Sequence, residues 1–262
     1  MLSLLSLHVS KGQETSILIP LKTESCELSL KYFTSKIVIK TGTQREIKVI
    51  ASGEPGKISN ALQTIDYTSS GNEILVQEKS DGDKPLTDVT FTFFVPKATE
   101  ISVRADFSPA ITVDGTTKDI EIRTLNGHIT LNNISANIEA RSFKGNIVVN
   151  NLSGAAQVFN DHGSITVSIA KVSNEYPVTL RNLYGKTELI LKTETKASFR
   201  IRKERGSFET NIQMQLLDSK DFPLSVAESS SSHQSIYRSV NGGGTPFYLT
   251  TVTGRIKILS MP

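Results

Sequence analysis

Along the middle of the chain, apolar side chains recur at fixed offsets from evenly spaced glycines. Gly127, Gly145 and Gly163 stand 18 residues apart. Before them come the pairs Ile120/Ile122, Ile138/Ala140 and Ala156/Val158, and after them Ile129/Leu131, Ile147/Val149 and Ile165/Val167. Residues two apart point to the same face of a strand, so each pair predicts a short strand with one apolar side. Leu125 and Phe143 join the apolar series two residues before the first two glycines, where the third has Asp161. The series extends upstream through Ile101, Val103, Phe107, Ile111 and Val113. Downstream it loosens but persists around Gly185 (Val178, Leu180, Leu183, Leu189), Gly206 (Phe199, Ile201, Phe208) and Gly254 (Phe247, Leu249, Ile256, Ile258).

The glycines fall between strands, where the backbone must turn and a residue without Cβ reaches φ > 0 at little cost. A second corner falls at Asn132-Asn133 and again at Asn150-Asn151, because asparagine tolerates the left-handed region. Strand, corner and strand make one coil, and stacked coils bury a face that one coil cannot bury alone. The expected fold is all-β: a single-stranded β-helix (β-solenoid) with about 18–22 residues per coil. Its apolar residues would ladder inside, with Glu121, Arg123, Glu139 and Arg141 outside. A β-sandwich also alternates, but it has no reason to hold an 18-residue register.

Outside the regular part, 101–262, the pattern weakens. Residues 13–100 contain strand runs such as Ser35-Lys-Ile-Val-Ile39, Glu46-Ile-Lys-Val49 and Glu73-Ile-Leu-Val76, with turn signals at Gly53-Glu-Pro-Gly56 and Ser70-Gly71. They are expected to form wider coils or a capping β-layer, since terminal repeats must cover an open stack end. An insertion or irregular coil is expected at about 214–245, which includes the polar run Glu228 to Gln234 and Asn241-Gly-Gly-Gly244. Residues 1–12 open with Met1-Leu-Ser-Leu-Leu-Ser-Leu-His8. They read either as a signal-peptide remnant lacking its basic region or as a first strand. No segment is apolar enough over a sufficient length to cross a bilayer as a helix.

Composition narrows the chemistry. The hydrophobic fraction is 37% with 6% aromatic residues and no Trp, so the core must be mainly aliphatic. A net charge of +3 is spread in alternating runs such as Asp119-Ile120-Glu121-Ile122-Arg123, not in the basic stripe of a nucleic-acid binder. Cys26 is the one cysteine, so no intrachain disulfide and no cysteine-based metal site can form. Thr23-Glu24-Ser25 before it is too polar for a lipid-attachment signal.

No constellation for catalysis emerges, and no catalytic, cofactor-binding or metal-ligating residue is assigned. The histidines are His8, His128, His162 and His233. Asp161-His162 near Ser164 invites a triad, but adjacent residues on a strand point apart and cannot hold that geometry. Acidic residues are scattered, and rows of Glu and Arg read as solvated ion pairs. Asn241-Gly-Gly-Gly244 lacks the strand, helix and lysine context of a phosphate loop. Asn133-Ile-Ser135 and Asn151-Leu-Ser153 match the glycosylation pattern, but their asparagines already belong to corners.

Three segments carry a family resemblance: Thr90-Phe-Thr-Phe-Phe-Val-Pro96, the units Leu125-Asn-Gly-His-Ile129 and Phe143-Lys-Gly-Asn-Ile147, and Val240-Asn-Gly-Gly-Gly-Thr-Pro-Phe-Tyr-Leu-Thr-Thr-Val-Thr-Gly-Arg-Ile-Lys-Ile258. From about Leu86 to the end the chain resembles the putative adhesin family of bacterial surface β-helical domains, of Bacteroidetes type. That resemblance implies export to the cell surface or the extracellular space, with the periplasm as the alternative. It carries over no site residue. The expected function is a non-enzymatic exported binding module, without cofactors and without nucleic acid, that offers rigid faces to a surface glycan or protein. A carbohydrate-active β-helix enzyme and a polymerising cell-envelope scaffold are the alternatives.

Overall fold

The structure is a computed structural model that describes residues 16–43, 45–54, 58, 60–79, 86–223 and 235–261. Residues 1–12, His233 and the polar run Glu228 to Gln234 lie outside the described residues. The described chain is all-β with almost no helix and no closed barrel. Two single 3₁₀ turns, Leu62–Thr64 and Ser219–Asp221, interrupt the strands. The chain divides into two compact units, Met1–Asn132 and Asn133–Pro262. Each has its strands in two mixed sheets.

The first unit contains β1 (Ser16–Pro20), β2 (Cys26–Lys31), β3 (Lys36–Gly42), β4 (Glu46–Ser52), β5 (Ile65–Ser70), β6 (Glu73–Glu78), β7 (Thr90–Pro96), β8 (Thr99–Arg104), β9 (Ala110–Thr116), β10 (Ile120–Thr124) and β11 (His128–Ile134). One sheet runs β1-β4-β7-β3-β9-β11 and the other β5-β6-β2-β8-β10. The pair β2–β3 lies between β6–β7 and β8–β9, in parallel register with both. Early chain is thus sandwiched between later chain, which gives both edges of β2 and β3 a partner. The antiparallel strands β4 and β1 finish one sheet, and the antiparallel β5 finishes the other.

The second unit contains β12 (Ile138–Lys144), β13 (Ile147–Gly154), β14 (Ala156–His162), β15 (Ile165–Val172), β16 (Val178–Asn182), β17 (Lys186–Lys192), β18 (Ala197–Lys203), β19 (Ser207–Thr210), β20 (Gln215–Leu216), β21 (Ser235–Val240), β22 (Thr245–Thr251) and β23 (Arg255–Met261). Its sheets run β13-β15-β17-β23-β19 and β12-β14-β16-β22-β18-β21-β20. The repeat is visible as register: Ile138 pairs with Ala156 and Ile147 with Ile165, each 18 residues on. The last pair, β22–β23, slides between β16–β17 and β18–β19, parallel to both. Spatial order therefore departs from chain order, and the rung of Gly254 precedes that of Gly206. The antiparallel β21 and the two-residue β20 end one sheet, and a short edge strand discourages pairing with other chains.

Strand alternation sets the core. Ile120 and Ile122, Ile138 and Ala140, and Val158 and Leu180 are buried, while Glu121, Arg123 and Arg141 face solvent. Glu121 and Arg123 pair at 2.8 Å, as do Glu139 and Arg141 at 2.9 Å, within one strand. Phe199 and Phe247, directly opposite on β18 and β22, place their rings 5.0 Å apart. In the first unit Phe33 meets both Phe91 and Phe93 edge-on at 5.8 Å. Each such ring stabilises the fold by about 1.5–3 kcal/mol through burial.

Two expectations change in detail. Leu125 and Phe143 do not join the interior ladder but are 44% and 43% exposed. Alternation continues through Ile120, Ile122 and Thr124, so the residue three before the glycine points inward and the residue two before it points out. The glycines, in turn, share a close approach more than a dihedral angle. Gly145 and Gly163 have φ of 132° and 134°, whereas Gly127, Gly185, Gly206 and Gly254 are not in the positive region. A Cβ on Gly163 would overlap the carbonyl oxygen of Gly145, one on Gly185 that of Gly163, and one on Gly254 that of Gly185. The second corners are as expected: Asn133 and Asn151 are left-handed, at φ 56° and 58°.

Candidate binding surfaces

Five of the six glycine corners have a buried polar side chain three residues earlier, Thr124, Ser142, Asn160, Asn182 and Thr251, while Gly206 has the half-buried Lys203 there. They serve the backbone groups that a tight turn leaves without ladder partners. Gly127 N–H donates to Thr124 Oγ1 at 3.2 Å, and Gly254 N–H to Thr251 Oγ1 at 2.9 Å. Asn160 Nδ2 donates to Gly145 O at 2.8 Å, and Asn182 Nδ2 to Gly163 O at 3.0 Å and Lys186 O at 3.1 Å. The asparagines thus reach back one rung as well as closing their own corner. Asn182 Oδ1 accepts from Gly185 N–H at 3.2 Å, whereas the buried Asn160 Oδ1 has no donor among the described residues.

Outside this polar column stands an aromatic row. Phe143 meets His162 edge-on with ring centroids 5.3 Å apart, and His162 stacks on Tyr184 at 4.9 Å and 18°. Tyr184 is 52% exposed. The centroid spacing is close to the strand spacing of a sheet, because the rings sit on successive rungs. Lys144 Nζ lies 6.0 Å from the Phe143 ring, and Arg141 lies 4.5 Å above the Phe159 ring on the neighbouring strand. The row therefore combines apolar area with cations, which suits contacts repeated at every rung.

The first unit has a cleft of about 530 Å³ lined by Lys31, Tyr32, Thr34, Arg104, Asp106 and Phe107. Lys31 and Arg104 are register partners on β2 and β8. Thr34 is held from below by the buried Glu78, whose carboxylate accepts from Thr34 N–H and Oγ1 at 2.9 Å and from Ser35 Oγ at 2.8 Å. The sequence reading singled out none of the cleft residues except Phe107. They come from corners far apart in the chain.

Among the described residues, those considered for chemistry are not assembled into a catalytic set. His162 is committed to Tyr184, and Ser164 Oγ donates to Asn146 Oδ1 at 2.9 Å. His128 is exposed at the start of β11. Among the described residues no three His, Cys, Asp or Glu side chains are grouped to hold a metal ion. Cys26 is buried, with Sγ 3.5 Å from Thr99 Oγ1, and burial raises its thiol pKa while the Thr99 hydrogen bond opposes the rise. No described helix is long and apolar enough to cross a membrane.

Solved structures of a putative cell adhesion protein and of putative adhesins are similar to this chain. A putative cell adhesion protein from Clostridium sporogenes is 11% identical, with a TM-score of 0.41 over 95% of this chain and 100% of its own. A putative adhesin from Bacteroides fragilis is 10% identical, with a TM-score of 0.42 over 96% and 98%. A putative adhesin from Parabacteroides distasonis is 10% identical, with a TM-score of 0.36 over the same shares. These neighbours bear the family description that the sequence resembles. At these scores they assign no residue a role. No family model matches the sequence, and no curated protein does.

Proposed function

We propose that this chain is an exported bacterial β-solenoid that acts without catalysis, as a binding module at the cell surface. In this reading 101–262 supply the regular coils, 13–100 the wider coils and cap, and about 214–245 an irregular excursion. The observation that carries the proposal is the exposed row Phe143–His162–Tyr184, standing at rung spacing on hydrogen-bonded corners. A rigid row of this kind meets an extended glycan or protein through several weak contacts without ordering cost on its own side. Fold alone would not assign this role, so the site is where the reading is tested.

Purified protein is applied to arrays of glycans and extracellular-matrix proteins beside the double variant Phe143→Ala/Tyr184→Ala. Binding that falls at least tenfold in the variant, with unchanged thermal unfolding, supports the row as the contact surface. Equal binding would remove the row from the proposal. Protease treatment of intact source cells tests location: peptides of this protein released before lysis agree with a surface position, and their release only after lysis refutes it.

A further inference from the structure

We propose that the cleft of the first unit is a saccharide site selective for acidic sugars, whose anionic group lies between Lys31 and Arg104 and whose ring faces pack on Tyr32 and Phe107. This inference rests on the binding-module reading above and names a ligand class for a second site.

Tyr32 supplies the first argument. It is a bulky residue at φ 64° and is 68% exposed. A left-handed backbone is costly for any residue with a Cβ and is normally left to Gly or Asn. Such strain at an exposed position is a pointer to function rather than to stability. Phe107, on the corner after β8, is 63% exposed and lines the same cleft. Two exposed rings on the walls of one cleft suit the apolar faces of a sugar ring, and aromatic side chains are the usual anchors of such contacts.

Charge supplies the second. Lys31 and Arg104 are neighbours across parallel strands, where like charges repel. Neither forms an ion pair with a described residue. An anion placed between them relieves that repulsion, and arginine's planar fork matches a carboxylate or sulfate. Asp106 in the lining offers an acceptor for sugar hydroxyls. Rigidity supplies the third. Tyr32 N–H donates to Arg104 O at 3.2 Å, and the Glu78 carboxylate clamps Thr34 and Ser35 from beneath. The corner is therefore shaped before a ligand arrives, which favours affinity.

The test is titration calorimetry on the full chain with three probes: an oligogalacturonate, a neutral dextran oligomer of equal length and oligoglutamate. The oligogalacturonate is expected to bind, with affinity falling as salt rises. Lys31→Gln/Arg104→Gln should weaken it at least tenfold, and Phe107→Ala by several-fold. Tyr32→Gly should unfold at a higher temperature than the wild type, since glycine relieves the strained backbone, yet bind more weakly. That split between stability and binding separates a ligand contact from a structural role. Oligogalacturonate binding that survives Lys31→Gln/Arg104→Gln overturns the proposal. So does equal binding of oligoglutamate that ignores Tyr32→Gly and Phe107→Ala. Binding of neutral glycans that depends only on Phe143 and Tyr184 would overturn this cleft and leave the aromatic row standing. Absence of binding to every saccharide and protein tested would remove both.

Discussion

The side-chain amide of Asn182 donates to the carbonyl of Gly163 at 3.0 Å, tying one corner onto the corner of the preceding rung. The same amide closes its own turn through Lys186 O, and its Oδ1 receives Gly185 N–H. Three backbone groups in a half-buried corner thus depend on one side chain. Asn182→Ala leaves them without this partner and should destabilise the protein by about 2–4 kcal/mol, about 1 kcal/mol for each, because the groups are only part-buried and water can reach them. Urea unfolding measures this. A cost below about 1 kcal/mol would mean that water or a shifted backbone replaces the amide.

Close approach and dihedral strain can be separated with two glycines. Gly185→Ala drives a methyl group into the Gly163 carbonyl, and backbone on both sides resists movement. Gly71 has φ 63° but open space around its missing Cβ. Gly71→Ala should therefore cost about 1–2 kcal/mol, the left-handed penalty alone. Gly185→Ala should cost more than that and disturb neighbouring rungs, seen as faster amide exchange in β14 and β16.

Removing residues 245–262 should be far more damaging than loss of a terminal cap. Strand β22 is paired on both sides, to β16 and β18, and β23 to β17 and β19. The deletion takes out an interior rung and exposes Phe199 and Leu189, which are buried in the intact chain. Cooperative unfolding of the second unit should be lost, whereas deletion of the two-residue β20 by mutation to glycine should leave it intact. Calorimetry of both variants distinguishes the cases.

Alkaline pH should weaken the fold through Cys26 and Tyr248. Burial raises the pKa of both, opposed by the Thr99 hydrogen bond at Cys26 and by Arg200 at Tyr248. The native state then holds these protons at a pH where the unfolded chain has begun to release them. Stability is full below the unfolded thiol value of about 8.5 and falls as pH rises past it. Cys26→Ala should flatten that slope between pH about 8.5 and 10, and native Cys26 should react with iodoacetamide only as fast as the protein opens. Rapid labelling of folded protein would contradict the burial.

Glu78 offers a charge test without a surface effect. Its buried carboxylate accepts from two hydroxyls and two amides. Glu78→Gln turns one acceptor into a donor facing donors and should cost about 2–3 kcal/mol. The same variant should loosen the Tyr32 corner, giving faster exchange at the Thr34 and Ser35 amides.

Much of the second unit could be read from the pattern of residues alone. The glycine spacing determined which strands are parallel neighbours, because Ile138 and Ala156 or Ile147 and Ile165 occupy equal offsets. Alternation determined which side chains face in, and the asparagine corners determined where the chain turns left-handed. The buried column Thr124, Ser142, Asn160, Asn182 and Thr251 is also a signal in the sequence, a short polar residue three before every repeat glycine except Gly206, which has Lys203 there. Its polar character keeps it out of a pattern built on apolar residues. With Thr124 and Ser142 facing in, strand parity places Leu125 and Phe143 outside.

What the tertiary structure alone decided is order in space and the sites built from it. Parallel pairing needs no local turn, so a rung can insert beside any strand whose edge is open and whose apolar face matches. Residue offsets cannot say that β22–β23 precedes β18–β19, or that β2–β3 lies between β6–β7 and β8–β9. The cleft follows from that insertion: Lys31 meets Arg104, and Tyr32 shares a cleft with Phe107, only because strands 73 residues apart in the chain became neighbours. Periodicity is a property of each rung, which sequence encodes locally. Adjacency of distant rungs depends on which open edges find each other, and that is a property of the folded whole.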